Sequence, residues 1–170
     1  MLSSDTDCGA GPQVVQSTGM GADWPASSVL ILGETDGYMN DLAKYNYWIM
    51  RSKSTDESLI LKIDSCKRKI KGIKIKNIGK GTNNAYNTKD FRVSGSLKEN
   101  GPWTNLLEAQ LIDTTGGKPA SLITFNFAKT VEFQFLRFEL ISYWGGSGGG
   151  LQYFAAITSG FTMNFIHGTE

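Results

Sequence analysis

The chain has few of the residues that most often perform catalysis or bind metals. Its 170 residues include one histidine, His167, and two cysteines, Cys8 and Cys66. A single histidine close to the C-terminus does not suit a Ser-His-Asp arrangement, and these three side chains are too few for a structural zinc site. Asp36 and Asp41 share one loop, and no other acidic pair stands out as a candidate for acid–base chemistry. We therefore predict that the protein is not an enzyme.

An excess of one charge and long hydrophobic runs are also missing. The chain carries 17 basic and 16 acidic residues, for a net charge of +1, so no overall field indicates nucleic acid as a partner. No apolar run approaches the roughly 20 residues of a membrane-spanning helix. Residues 1–7 lack the basic start and apolar stretch of a secretory signal. We expect a cytoplasmic chain or one already separated from its leader, and the two cysteines fit either a disulfide or two thiols.

Helical periodicity is absent as well. No segment repeats its apolar residues every three to four positions over three turns. The chain is instead rich in glycine, with 20 residues, and in aromatics, at 11%, a composition that favours strands and turns. About nine or ten short apolar or alternating segments are separated by polar, turn-rich loops. This pattern is typical of an all-β fold, and we predict an antiparallel jelly-roll β-sandwich.

The distribution of these strands predicts the domain organisation. Residues 1–26 are polar and contain glycine, serine and proline, so we predict a flexible N-terminal lead-in without regular structure. The strands follow, and residues 27–166 are predicted to form a single β-sandwich domain.

Two of the predicted strands contain a break in their alternation. Ile70 is out of phase with Ile73 and Ile75, and Gly72 lies at the break, which predicts a β-bulge. Residues 131–141 change parity between Phe135 and Leu136, which predicts a bulge or a bend.

The most informative segment of the sequence lies near its end. An alternating strand, residues 135–140, leads into Tyr143 and Trp144, and a glycine-rich stretch follows at residues 145–150. Glycine adopts backbone angles that other residues avoid, so this loop can turn tightly and hold both rings at one end of a sheet. Two interpretations stay open: the rings cap the core, or they contact a ligand.

An ordered set of motifs resembles one known family. The motifs, in chain order, are Glu34-Thr35-Asp36-Gly37 with Tyr47-Trp48, the strand pair 59–64 and 70–75, Phe91–Ser96 with Asn100-Gly101-Pro102-Trp103-Thr104, Phe135-Leu136-Arg137-Phe138, and Gly148-Gly149-Gly150-Leu151-Gln152. Together they resemble the discoidin, or coagulation factor 5/8 type C, domain of the galactose-binding-like superfamily, over roughly residues 28–158. The resemblance implies an eight-stranded jelly-roll sandwich.

The sequence departs from that family in two places. No cysteine lies near the C-terminus to complete a disulfide between the two ends, and Cys66 stands where glycine is common. The acidic residue often found in the last core strand is replaced by Phe154-Ala155-Ala156. The first departure argues against an extracellular location, and the second argues against a metal site.

The resemblance implies a non-catalytic, lectin-like module whose loops at one end bind a glycan or glycoprotein. Flat aromatic rings stack on the apolar face of a sugar, asparagine side chains match vicinal hydroxyls, and Lys80 or Lys89 would serve anionic sugars. The candidate ligand-binding residues are Tyr38, Asn83, Asn84, Tyr86, Asn87, Tyr143 and Trp144. The alternatives are an ordinary polar loop, or an adhesion module for a protein or for phospholipid head groups, the latter through Tyr38, Met39 and Leu42.

The resemblance also implies a structural calcium ion and a location. Asp36 is the best candidate ligand, followed by Asn40 and Asp41, because Ca²⁺ takes carboxylate and carbonyl oxygens. The alternative is an Asp-Gly turn in which Asp36 caps backbone amides. The family implies an extracellular or cell-surface position within a larger protein that mediates adhesion, with a cytoplasmic location as the alternative.

Overall fold

The strands within the described residues pair in antiparallel fashion. The computed structural model describes residues 12–18, 48–50, 55, 57–64, 68–79 and 85–158. Within these ranges no helix has the length and apolar character needed to cross a membrane. Their strands are β1 (Gln13–Ser17), β2 (Trp48–Ile49), β3 (Ser58–Lys62), β4 (Arg68–Lys76), β5 (Asn87–Thr88), β6 (Asp90–Ser96), β7 (Thr104–Gln110), β8 (Leu122–Phe133), β9 (Phe135–Leu140), β10 (Tyr143–Trp144), β11 (Gly150–Leu151) and β12 (Tyr153–Thr158).

The strands form two main sheets that enclose one core. The larger sheet has the order β1-β3-β9-β6-β7, and the smaller has the order β12-β4-β8. Two short ribbons, β10-β5 and β11-β2, lie between the main strands in sequence. The buried cluster takes Phe91 and Phe138 from the larger sheet, and Ile73 and Phe154 from the smaller. The predicted antiparallel β-sandwich is therefore confirmed.

The prediction of an unstructured lead-in is wrong for Gln13–Ser17. These residues form β1, which pairs with β3 and places Val14 opposite Leu61. Two adjacent valines give this short stretch a β preference, and Val14 packs against the core cluster, which offsets the entropy of ordering it. Residues 1–11 and 19–26 lie outside the described residues, and the domain boundary at residue 27 stays a prediction.

The predicted bulge at Gly72 is confirmed. The register between β4 and β8 shifts between Ile70 and Gly72. A Cβ atom at Gly72 would lie 2.1 Å from the carbonyl oxygen of Phe125, so only glycine allows the two backbones to approach this closely.

The chain changes sheets at Gln134, within the segment predicted to bend. β8 ends at Phe133 in the smaller sheet, and β9 starts at Phe135 in the larger one. The Gln134 amide donates to the carbonyl oxygen of Ser96, 3.1 Å away. After this corner, β9 runs across the larger sheet beside β6. Tyr143 and Trp144 follow shortly after the C-terminal end of β9.

Candidate functional site

The two aromatics of the Tyr143–Trp144 pair lie in a short ribbon at one end of the sandwich. β10 pairs with β5, so that Tyr143 lies opposite Thr88 and Trp144 opposite Asn87. Gly145 then adopts a φ of +74°, a conformation that glycine reaches without steric cost. The chain can therefore turn immediately after the two rings, as the sequence predicts.

The Trp144 ring is partly exposed and held in one orientation. Its Nε1–H donates to the carbonyl oxygen of Leu111 at 2.9 Å. The ammonium of Lys89 lies 4.7 Å from the ring centroid, a cation–π arrangement. Because its edge and one of its faces have protein partners, the indole forms a fixed surface rather than a mobile one.

Tyr143 has a different environment from its neighbour. Its ring packs against the hydrophobic core and is only partly exposed. Tyr143 thus packs as the core-capping interpretation expects, whereas Trp144, which is also partly exposed, is not part of the core cluster.

The backbone around Lys89 is anchored on both sides. Its amide donates to the carbonyl oxygen of Ser142 at 2.9 Å, and its own carbonyl accepts from the Leu111 amide at 2.8 Å. The adjacent Asp90 carboxylate accepts from the Ser142 hydroxyl and from the Gln110 amide group. These two hydrogen bonds, with a smaller contribution from the Lys89 charge, hold the pKa of Asp90 below its usual value. The edge of the site is thus rigid.

Asn87 lies behind the site rather than on its surface. Its side chain is completely buried and contacts the Thr114 hydroxyl, which also lies 2.6 Å from the carbonyl oxygen of Ile78. A side chain without exposed surface does not touch a ligand, so this geometry does not suit the predicted direct contact with sugar hydroxyls. Asn87 instead supports the strand that pairs with Trp144.

A buried asparagine outside the predicted set, Asn77, holds the loops together. The Asn77 amide nitrogen donates to the carbonyl oxygens of Thr88 at 2.9 Å and Ile112 at 3.3 Å. Its side-chain oxygen accepts from the amides of Ile78 at 3.1 Å and Thr88 at 3.0 Å. The Thr88 hydroxyl continues the network to the carbonyl oxygen of Gly150 at 3.0 Å. Asn77 directly follows strand β4, and an asparagine at a strand end is the signal in the sequence that indicates side-chain hydrogen bonds to nearby backbone groups.

Replacing Asn77 with alanine is expected to lower the free energy of unfolding by about 2–3 kcal/mol. The substitution leaves buried amides and carbonyls without partners, each at a cost of roughly 1 kcal/mol or more. Urea unfolding of the purified chain measures the loss. Asn126→Ala, at an exposed position on β8, is the matched control and should change stability by less than about 0.5 kcal/mol. Equal effects of the two substitutions would contradict the supporting role of Asn77.

Asp113 stabilises the loop next to this network. Its carboxylate accepts from the hydroxyl of Thr115 at 2.6 Å and the amide of Thr115 at 2.9 Å, and lies 3.1 Å from the Lys118 ammonium. The Thr115 hydroxyl is the largest cause that lowers the pKa of Asp113 to about 2. This lowered pKa makes the loop's contribution to stability depend on pH.

The stability that the ionised Asp113 supplies is expected to disappear in acid. A carboxyl group whose folded pKa is depressed stabilises above its usual pKa of 3.8, and the effect is lost as the pH falls towards about 2. Asp113→Asn retains an acceptor for Thr115 but no charge for Lys118. The melting temperature of the wild type should exceed that of the variant at pH 5, and the gap should close by about pH 2. A gap that stays constant over this range would contradict the assignment.

The remaining predicted residues divide into two groups. Tyr86 is described: it is partly buried and forms an isolated bridge with Gly148 beside the ribbon. The other predicted ligand-binding and metal-binding residues lie outside the described residues, namely Tyr38, Asn83, Asn84, Asp36, Asn40 and Asp41. In the part of the chain that the structure does describe, no three His, Cys, Asp or Glu side chains are grouped for a metal. The calcium site stays a prediction.

Several solved structures with a similar fold are carbohydrate-binding modules of family 32. One is the module of NanJ from Clostridium perfringens in complex with galactose, with a TM-score of 0.62, 16% identity, and coverage of 85% of this chain and 92% of the other. A second Clostridium perfringens module, in complex with GalNAc-beta-1,3-galactose, has a TM-score of 0.63 and 12% identity, with 86% and 95% coverage. The AlyQ module in complex with 4,5-unsaturated mannuronic acid has a TM-score of 0.54 and 10% identity, with 85% and 95% coverage.

These likenesses define the class of fold. The chain has the galactose-binding-like, discoidin-type sandwich of the family 32 modules, which confirms the fold that the sequence motifs predict. No protein-family profile and no curated protein sequence matches the chain. The shared architecture is therefore recognised by its three-dimensional form rather than by sequence identity.

Proposed function

We propose that the chain is a non-catalytic module that binds a glycan at the Trp144 end of the sandwich. The observation that carries the proposal is the partly exposed Trp144 indole, whose orientation is fixed by its hydrogen bond to Leu111 and its contact with Lys89. A rigid aromatic ring loses little conformational entropy when the apolar face of a sugar packs on it. The sugars present in the solved structures of the same fold support this assignment.

The proposal extends to the partner, the location and the metal. The partner is a glycan or glycoprotein, and the chain acts outside the cell or at its surface, where such ligands are displayed. A structural Ca²⁺ held by Asp36, Asn40 and Asp41 is part of the proposal, because loop carboxylates and amides are oxygen ligands of the kind that calcium takes.

A glycan array probed with the labelled, folded chain tests the proposal. We expect binding to a restricted set of glycans, with no cleaved product in mass spectra of bound glycans after prolonged incubation. A parallel array in EDTA tests the metal: lower binding and a lower melting temperature support structural calcium, and unchanged values contradict it. If the folded protein binds no glycan on the array, or if it releases a cleaved sugar, the proposed function is overturned.

A further inference from the structure

We propose that this site selects glycans that carry a carboxylate over otherwise identical neutral glycans, and that Lys89 makes the selection. The proposal rests on glycan binding at Trp144 and adds the chemical class of the sugar. It is independent of the chain's overall charge, which is only +1, because a single local cation is responsible.

Lys89 is placed at the site by contacts at both ends of the residue. Its backbone is bonded to Ser142 and Leu111, and its ammonium rests over the Trp144 ring at 4.7 Å. A lysine restrained in this way has less side-chain freedom to lose when it binds a ligand than a lysine that extends into solvent.

Lys89 is partly buried, and no carboxylate of the described residues forms an ion pair with it. Among the described residues, the nearest carboxylate in sequence is that of Asp90, and it is bonded to Ser142 and Gln110. The Asp113 carboxylate is bonded to Thr115 and Lys118. Neither forms an ion pair with Lys89; the pKa of Asp90 is lowered mainly by its hydrogen bonds to Ser142 and Gln110, and only to a smaller extent by the Lys89 charge. Both carboxylates already accept strong hydrogen bonds, so they compete weakly for the ammonium.

A cation on the face of an indole discriminates between charged and neutral sugars. The Lys89 ammonium lies over one face of the ring, 4.7 Å from its centroid. It also presents three donors, and a sugar carboxylate beside the ring accepts a charge-assisted hydrogen bond from them. A neutral hydroxymethyl group in the same place also accepts a hydrogen bond from the ammonium, but it lacks the negative charge that strengthens the bond to a carboxylate. The arrangement therefore favours uronate-type or sialate-type sugars.

The test is a glycan array printed with uronate- and sialate-containing glycans beside their carboxyl-reduced counterparts, with the strongest-binding pair then measured by calorimetry. We expect the acidic member of that pair to bind tighter by about tenfold or more. The preference should shrink as salt rises from about 50 to about 500 mM NaCl, because ions screen the contact.

Three variants test whether Lys89 is responsible for the preference for carboxylate-bearing glycans. Lys89→Gln should remove the preference, measured as the ratio of the affinities for the acidic and the reduced member of the pair, and Lys89→Arg should keep it. Lys129→Gln makes the same charge change at an exposed position on β8 and should leave the preference intact. Melting temperatures confirm that each variant is folded.

The outcomes separate this inference from the function on which it rests. Equal or tighter binding of the reduced glycans by the wild type overturns carboxylate selection and leaves glycan binding standing. A preference that survives Lys89→Gln overturns the role of Lys89. Binding to no member of any pair, by a folded chain, overturns glycan binding itself and this inference with it.

Discussion

Replacing Trp144 with alanine is expected to weaken glycan binding by about 30-fold or more, because an aromatic side chain that the ligand covers at the centre of a binding site contributes about 2 kcal/mol or more. The fold should tolerate the change. The ring gives one hydrogen bond to Leu111 and one cation–π contact to Lys89, so the free energy of unfolding should fall by only about 1–2 kcal/mol. Calorimetric titration with the best glycan of the array and urea unfolding measure the two quantities on the same protein.

Trp103 provides a matched control for Trp144. It is also partly exposed, and its ring carries the guanidinium of Arg137 at 4.7 Å. The first residue of β6, Asp90, borders the site, and Trp103 lies beyond the opposite end of that strand. The length of β6 therefore separates the two rings by roughly 20 Å. Trp103→Ala should leave glycan affinity unchanged. Unchanged affinity in Trp144→Ala, or an equal loss in both variants, would contradict the location of the site.

Replacing Phe138 with alanine is expected to have the largest effect on stability. The ring is completely buried and contacts three other rings: it stacks with Phe91 at 5.6 Å between centroids and meets Trp48 and Phe154 edge-on at 6.3 and 5.8 Å. Phe-to-Ala substitutions in such cores cost about 3–5 kcal/mol, since a cavity remains. That loss is a large part of the 5–15 kcal/mol that stabilises a typical domain, and urea unfolding measures it.

Two further variants keep this prediction testable if Phe138→Ala does not fold. Phe138→Leu fills most of the space and should cost about 1–2 kcal/mol. Leu97→Ala, at a residue that is 54% exposed, should change stability by less than about 0.5 kcal/mol. A Phe138→Leu variant no less stable than Leu97→Ala would contradict the central position of this ring.

The strands were predictable because their signals are local. Ile73 and Ile75 alternate with lysines, and Gly72 interrupts that alternation at the bulge that the structure contains. The turn after Trp144 was predictable for the same reason, since consecutive glycines specify backbone angles directly. β1 was missed because Val14 is stabilised by its pairing with Leu61, far along the chain, and its polar neighbours resemble those of a loop.

The supports of the site were not predictable in this way. Asn87 is a residue type that suits a loop facing sugar hydroxyls. In the structure it is buried against Thr114, which follows it by 27 positions. The partner of Trp144 is a backbone carbonyl 33 positions away in sequence. No local pattern reports such pairs, because they exist only once the sheets have packed.

The sequence by itself determined an all-β sandwich and the delivery of two aromatic rings to one of its ends, because side-chain alternation and glycine turns act between neighbouring residues. The tertiary structure decided that Tyr143 packs against the core cluster while Trp144 does not, and that the Lys89 ammonium lies over the Trp144 ring. The physical reason is that burial and charge placement depend on how segments distant in sequence pack together. Strand periodicity contains no information about that packing.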